Sequence, residues 1–159
     1  MAVTVRPMRA DEGRTFLDIH ARSVRGLAAQ HYSPETIDGW AARITDESVR
    51  ALMRNPDGEI RLLAELDGQP VGLGALVVSK SELCACYVVP ETIRKGVGSA
   101  LVREIERIAR NHGLTKLDLE SSINAELFYA ALGYVVVERH EHVLRSGLRM
   151  AAVRMRKEL

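Results

Sequence analysis

The chain has 159 residues, of which 47% are hydrophobic, and this size and composition suit one compact domain with its own core. Its 22 basic and 21 acidic side chains leave a formal charge of +1, which argues against nucleic-acid or anionic-membrane binding. The sequence has no basic-then-apolar start and no apolar run near the ~18 residues of a membrane span. We therefore expect a single domain over residues 1–159, located in the cytoplasm.

Hydrophobic periodicity and turn residues predict the order of the helices and strands. A strand at residues 3–8 precedes a helix that runs from a cap near Asp11 to residue 29, and a second helical region extends from Pro34 to residue 53. Asp67 and Gly68 are typical of a tight hairpin turn between strands at 60–66 and 71–78. The remaining predictions are strands at 83–89, 117–119, 134–137 and 148–156, a helix from residue 98 to a cap at Gly113, and a helix at 125–132.

The segment 83–89 is a continuous apolar run of strand length, and we expect a central strand that is buried on both faces. Cys84 and Cys86 lie within it and are expected to be core thiols. The element order predicts an α/β (α+β) fold in which a mixed central sheet, with antiparallel pairs and one parallel crossover, is flanked by helices.

Residues 90–100 join this central strand to the most amphipathic helix. Gly96 and Gly98 permit a tight turn, the first amides of the helix have no partners within it, and Arg94 and Lys95 add positive charge. The segment therefore indicates a site for an anionic group, although an ordinary strand-to-helix loop could carry the same glycines.

Two other phosphate sites match this segment less well. A P-loop is excluded because Lys95 precedes the first glycine, whereas a P-loop lysine follows the second. A dinucleotide-binding fold requires a third glycine where this chain has Leu101. Its one supporting feature is Glu120, an acidic residue at the end of the next strand.

The loop resembles the pyrophosphate loop of the Gcn5-related N-acetyltransferase (GNAT) family. In that family an apolar strand ends in proline and is followed by Gln or Arg, two residues, Gly, one residue, and Gly or Ala. Pro90 and Gly96-Val97-Gly98 match this pattern, while Ile93 occupies the Gln or Arg position and Arg94 comes one place later.

A second match to the same family surrounds the last helix. The family's Ala, Tyr and Gly-aromatic pattern is found at the same spacing in Ala125, Phe128-Tyr129 and Gly133-Tyr134. Ser122 stands where the family usually has Asn, and Asn124 follows two places later.

The resemblance implies an acetyl-CoA-dependent N-acetyltransferase with a GNAT-like acyl-CoA N-acyltransferase fold. It implies Tyr129 as general acid toward the CoA sulfur and Glu82, fourteen residues before Gly96, as general base. In the family the central strand bulges and splays from its parallel neighbour, so that its backbone binds pantetheine. The cofactor-binding residues implied in this way are Cys86, Tyr87, Val88, Arg94, Lys95, Gly96, Val97, Gly98, Ser99, Ala100, Ser122, Asn124 and Tyr129.

The acceptor is expected to be a primary amine, with a small molecule favoured over a peptide because no charged docking face is evident. Its pocket is expected from His31, Tyr32, Trp40 and residues 145–147, and the weaker candidates for a base are His20, His31, Glu120 and His142. His140 and His142 share a strand face, but a pair without a third ligand predicts no metal. A homodimer is expected, and a non-catalytic CoA-binding sensor is the alternative function.

Overall fold

The computed structural model describes residues 2–41 and 43–159, and within them the chain forms seven strands and five α-helices. The strands are β1 (Val3–Pro7), β2 (Ile60–Leu66), β3 (Gln69–Val77), β4 (Glu82–Val88), β5 (Lys116–Ser122), β6 (Val135–Val143) and β7 (Arg149–Glu158). The helices are α1 (Gly13–Ser23), α2 (Pro34–Trp40), α3 (Asp46–Arg54), α4 (Val97–Asn111) and α5 (Glu126–Ala131).

The strands form one mixed sheet in the order β1-β2-β3-β4-β5-β7-β6. β4 and β5 pair in parallel, and the other neighbouring strands pair antiparallel. The parallel pair requires a crossover, which α4 supplies between β4 and β5. The predicted fold class is therefore confirmed.

Helix α4 fixes the main core against the sheet. Its apolar stripe of Leu101, Ile105 and Ala109 is fully buried and packs with Leu117 of β5 and Met155 of β7. Charged side chains occupy most of the opposite face, as the 3.6-residue period of an amphipathic helix requires. The start of α4 is thereby held at the carboxyl end of β4.

The N-terminal helices differ from the prediction. Helix α1 ends at Ser23 and continues as a π-helical turn, Val24–Ala28, instead of an α-helix to residue 29. The helical region predicted from residue 34 to 53 consists of two helices, because α2 ends at Trp40 and Thr45 caps α3 through a reciprocal pair of hydrogen bonds with Ser48. Ala42, which falls within that predicted region, lies outside the described residues.

Three strand predictions also need correction. β5 covers Lys116–Ser122 and is longer than the predicted 117–119. β6 extends to Val143, beyond the predicted end at residue 137, and as an edge strand it is largely exposed, which is why its sequence carries charges on both faces. β4 is central but only half-buried along 84–88, because part of it borders a cleft. Among the described residues, no helix is both long enough and apolar enough to cross a membrane.

Candidate active site

The parallel strands β4 and β5 separate soon after they begin. Their pairing within the described residues is the single register pair Glu82 with Asp118, supported by a 2.9 Å hydrogen bond from the Asp118 amide to the Ser81 carbonyl. On its other side β4 carries a bulge, since Ala75 and Leu76 of β3 face Ala85 and Leu83 and leave Cys84 as the extra residue. Backbone groups of β4 beyond the bulge consequently face an open seam on the β5 side.

The loop that follows β4 forms the start of α4. Arg94 and Gly96 both adopt left-handed backbone conformations, with φ of 64° and 82°. Gly96 occupies the N-cap position without a side-chain cap, and a Cβ atom placed on it would contact nothing within 4 Å. The first amides of α4 are thus available to an anion, and exposed Arg94 adds a positive charge nearby.

A cleft of about 870 Å³ runs from this loop along the β4–β5 seam. It is lined by most of the predicted site residues: Glu82, Cys86, Tyr87, Val88, Arg94, Gly96, Val97, Gly98, Ser99, Ser122, Asn124 and Tyr129. Lys95 and Ala100 do not line it, and Lys95 is exposed on the loop. Residues far apart in the chain are therefore brought together largely as the sequence predicts.

Tyr129 lies in the wall of the cleft with 6% of its surface exposed. Its ring packs edge-on against Phe128 and Tyr134, at centroid distances of 5.0 and 5.9 Å. Burial, with a further contribution from neighbouring Cys86, raises the pKa of Tyr129 well above its usual value. The phenol is therefore protonated at neutral pH and can act as a proton donor.

The two thiols in β4 are free and partly buried. Burial raises the pKa of Cys84 and of Cys86 to about 12 in each case. Because the thiolate is the nucleophilic form, neither side chain is suited to carrying a covalent acyl group.

Glu82 begins β4 and lines the end of the cleft away from the glycine loop. Burial raises the pKa of Glu82; Lys80 opposes this shift, and the nearby carboxylate of Glu120 adds to it. A carboxylate with a raised pKa is a better proton acceptor than an exposed one.

Asn124 supplies a further polar group in the same cleft. Its Oδ1 atom is buried and has no hydrogen-bond partner among the described residues. A buried amide oxygen left unpaired is costly, and a ligand that donates a hydrogen bond would remove that cost. Ser122, two residues earlier, lines the cleft as well.

An aromatic cluster covers the face of β4 on the side of the N-terminal helices. Tyr87 contacts the ring of His20 at 4.5 Å and that of Trp40 at 6.2 Å, and Trp40 also meets Tyr32 at 5.8 Å. The Tyr32 hydroxyl donates a 2.6 Å hydrogen bond to the Ala151 carbonyl and accepts a 2.8 Å bond from the Ile123 amide. Tyr32 therefore ties the N-terminal helices to the C-terminal strands.

The candidates for the acceptor pocket and the weaker candidates for a base divide into two groups. Trp40, Glu120 and His142 line the cleft. His20, Tyr32 and exposed His31 do not, and neither do residues 145–147. The last segment is close by, since a Cβ on Gly39 would lie 2.7 Å from Ser146 Oγ. His20 thus serves as packing beneath Tyr87.

His140 and His142 do lie on one face of β6, but they have different surroundings. His140 Nε2 is 2.7 Å from Glu120 Oε2, whereas His142 borders the cleft. Within residues 2–41 and 43–159, no group of three or more His, Cys, Asp or Glu side chains is placed to hold a metal ion.

Several residues that line the cleft were not predicted from the sequence. They include Ser23, Val24, Leu27 and Ala28 around the π-helical turn, together with Met150 and Ala152 on β7. Nothing in the sequence marks the π-helical turn. The two-residue period of a strand could have placed Met150 and Ala152 on one face of β7.

Comparison with known proteins agrees with this geometry. The family model for the acetyltransferase (GNAT) domain matches residues 28–159. The chain is 28% identical to the uncharacterised N-acetyltransferase YafP of Escherichia coli K12 over 86% of its length and 84% of the relative's. It is 26% identical to an aminoglycoside N(6')-acetyltransferase type 1 of Klebsiella aerogenes, covering 75% and 78% of the two chains, and 26% identical to a spermidine N(1)-acetyltransferase of Thermoplasma acidophilum, covering 81% and 86%.

Solved structures share the same fold. A GCN5-related N-acetyltransferase from Rhodopseudomonas palustris superposes with a TM-score of 0.90 at 29% identity, covering 100% of this chain and 97% of the other. The PaiA N-acetyltransferase of Thermoplasma acidophilum, solved in complex with coenzyme A, has a TM-score of 0.79 at 21% identity, covering 100% of both chains. The family match extends over most of the chain, and the protein therefore belongs to the GNAT family of acetyltransferases.

Proposed function

We propose that this protein transfers the acetyl group of acetyl-CoA directly to a primary amine of a small molecule. The observation that carries the proposal is the cleft along the β4–β5 seam, which joins an anion-binding loop at Gly96 to buried, protonated Tyr129. The relatives named as N-acetyltransferases favour an enzyme over a non-catalytic CoA sensor.

Acetyl-CoA fits the polar groups of this cleft. The free amides at the start of α4 and the Arg94 side chain would hold its pyrophosphate. The unpaired backbone of β4 at residues 86–88 would bind the pantetheine arm, and the orphan Oδ1 of Asn124 would accept a hydrogen bond from one of its amides. Acetyl-CoA supplies an activated thioester, so the protein has only to orient it and move protons.

Two side chains at the seam can carry out the proton transfers that acetyl transfer requires. The neutral amine attacks the thioester carbonyl, a C–N bond forms, and the C–S bond to CoA breaks. Tyr129 donates its hydroxyl proton to the departing sulfur, and Glu82 accepts the proton lost by the amine. Return of that proton to the tyrosine through solvent restores both groups.

A small-molecule acceptor is supported by two of the relatives, whose names give an aminoglycoside and spermidine as substrates. The cleft is also enclosed on one side by Trp40 and the π-helical turn, which favours a compact ligand over a folded protein surface. The expected homodimer stays a prediction.

Thermal unfolding in the presence of acetyl-CoA tests the proposal. A ligand at 100 times its dissociation constant stabilises a fold by about 2.7 kcal/mol, so acetyl-CoA should raise the unfolding midpoint while NAD does not. Release of free CoA thiol with a panel of small amines then measures turnover. No midpoint shift at millimolar acetyl-CoA would disprove the cofactor site, and a shift without thiol release from any amine would indicate a sensor.

A further inference from the structure

The charged side chains that line the cleft are separated by sign. Among the lining residues, Arg94 stands at the glycine-loop end, and Glu82 and Glu120 stand at the other. An arginine suits the phosphates of CoA, whereas the carboxylates lie beyond the thioester end, where the acceptor must enter. The lining carboxylates at the acceptor end therefore favour a cation there, against the opposing charge of Lys80 and Arg154 near Glu82.

Glu120 is held in place by a histidine two strands away. His140 lies on β6 and Glu120 on β5, with β7 between them, yet His140 Nε2 is 2.7 Å from Glu120 Oε2. The contact crosses β7 diagonally, since His140 is opposite Ala152 and Glu120 is opposite Arg154, and Ala152 has only a small side chain. The contact fixes one carboxylate oxygen of Glu120 and leaves Oε1 for a ligand.

If Glu120 served only in a structural ion pair, the arginine directly opposite it would be the expected partner. Arg154 is directly opposite Glu120 on β7, but its guanidinium lies 4.0 Å from Glu138 on the other side. Glu120 lines the cleft, while Glu138 does not. The sheet thus places an oriented carboxylate at the cleft with its adjacent arginine turned toward another acid.

The walls around this carboxylate are suited to an organic cation. Met150 and Ala152 form an apolar floor on β7, and Trp40 stands in the same cleft. Apolar and aromatic surfaces accommodate the methylene chain of an alkylamine, and an indole ring attracts a nearby ammonium group. A neutral or anionic acceptor would leave the Oε1 atom of Glu120 to solvent.

We propose that Glu120, positioned by His140, is a specificity-determining residue that binds a second ammonium group of the acceptor, so that the substrates are diamines or polyamines. The inference rests on the proposed function, in which Glu82 faces the reacting amine. Glu82 pairs with Asp118, two residues before Glu120, which places the backbones of the two glutamates roughly 8 Å apart from strand spacing and rise. That span suits a short alkyl diamine.

The test compares 1,4-diaminobutane with 1-aminobutane, which lacks the second amine. The wild-type protein should prefer the diamine by about 10- to 100-fold in kcat/KM, the usual range for a hydrogen bond to a charged group. Glu120→Gln should abolish this preference, so that the two amines have similar kcat/KM values. Glu141→Gln, at an exposed position of β6 outside the cleft and away from Arg154, should leave the preference unchanged.

Variants of His140 separate positioning from simple packing. His140→Ala should raise KM for the diamine with little change in kcat, and His140→Gln, which can still donate a hydrogen bond to Glu120, should restore part of the affinity. Equal losses for both amines in His140→Ala, or no loss, would refute the positioning role.

Direct binding gives a result without turnover. Calorimetric titration of 1,4-diaminobutane should detect binding to wild-type protein and at least tenfold weaker binding to Glu120→Gln; equal affinities, or no binding to the wild type, would overturn the inference. Thiol release with both amines at equal efficiency would reject the diamine site and leave the acetyltransferase proposal intact. Failure of acetyl-CoA to stabilise the fold would instead reject the proposed acetyltransferase function on which this inference rests.

Discussion

Gly26 of the π-helical turn lies against the ring of Pro90 at the end of β4, and a Cβ atom on residue 26 would stand 2.2 Å from Pro90 Cγ. The absence of a side chain at residue 26 therefore allows the N-terminal helices to approach the strand that borders the cleft.

Gly26→Ala should destabilise the protein by about 1 to 3 kcal/mol, because the rigid proline ring cannot yield and the turn must move away. The loss outweighs the better helix propensity of alanine. Urea unfolding measures it. Gly13→Ala is the control, since its nearest neighbours, side-chain atoms of Met53 and Val49, both lie at 3.2 Å and need to shift only slightly, and it should change stability far less. A Gly26→Ala protein as stable as the wild type would show that this contact is unimportant.

Arg94→Gly should stabilise the fold and weaken acetyl-CoA binding. Arg94 has φ of 64°, a conformation that costs a non-glycine residue about 1 kcal/mol, so glycine should raise the unfolding free energy by up to that amount. Loss of the guanidinium should lower the affinity for CoA several-fold. Arg94→Ala provides the comparison: it should lose the same affinity without the gain in stability. Unchanged CoA affinity in both variants would remove Arg94 from the proposed phosphate site.

Tyr129→Phe should lower kcat by about 100-fold while the affinity for acetyl-CoA is kept, because only the proton donor is removed. Tyr134→Phe is a matched control, because the ring of Tyr134 packs against that of Tyr129. Its hydroxyl donates a 2.9 Å hydrogen bond to buried Glu106, so its loss should cost about 1 to 2 kcal/mol of stability and leave kcat nearly unchanged. Steady-state thiol release at saturating acetyl-CoA distinguishes the two. Equal kcat values for Tyr129→Phe and the wild type would mean that another group or water protonates the sulfur.

The stability of the fold should fall in mild acid because of His20. Burial lowers the pKa of His20 to about 4 in the folded chain, against about 6.5 when unfolded. Below the unfolded pKa only the unfolded state takes up the proton, so the stability present at neutral pH is lost as the pH falls toward 4, by about 2 kcal/mol between pH 7 and pH 5. His20→Phe should flatten this part of the pH profile, whereas His31→Gln, at an exposed position, should not. An identical profile for His20→Phe would assign the acid sensitivity to other groups.

Local sequence patterns were sufficient for much of the fold. The apolar stripe of α4 predicts that helix almost to its ends, and Asp67-Gly68 predicts the β2–β3 hairpin, because both depend on residues close in the chain. The break between α2 and α3 was missed since Ser48 takes the place of the usual acidic partner in the cap of Thr45.

The candidate site was predictable as far as its residues follow one another along β4 and the loop after it. The contact between His140 and Glu120 was not, because it depends on the strand order β5-β7-β6, which no local pattern contains. The π-helical turn lies against Pro90, which is distant in the sequence, and likewise has no signal of its own.

The separation of β4 from β5 also affects how the protein unfolds locally. In the part of the chain that the structure describes, β1 to β4 and β5 to β7 are two backbone-bonded sets joined at the seam by one register pair, and the side chains of α4 pack against strands of both sets. In hydrogen exchange the two sets are expected to behave as two cooperative units, with their weakest protection at the seam. A ligand that contacts both walls acts as an additional link between them, and its binding couples their local unfolding into a single event.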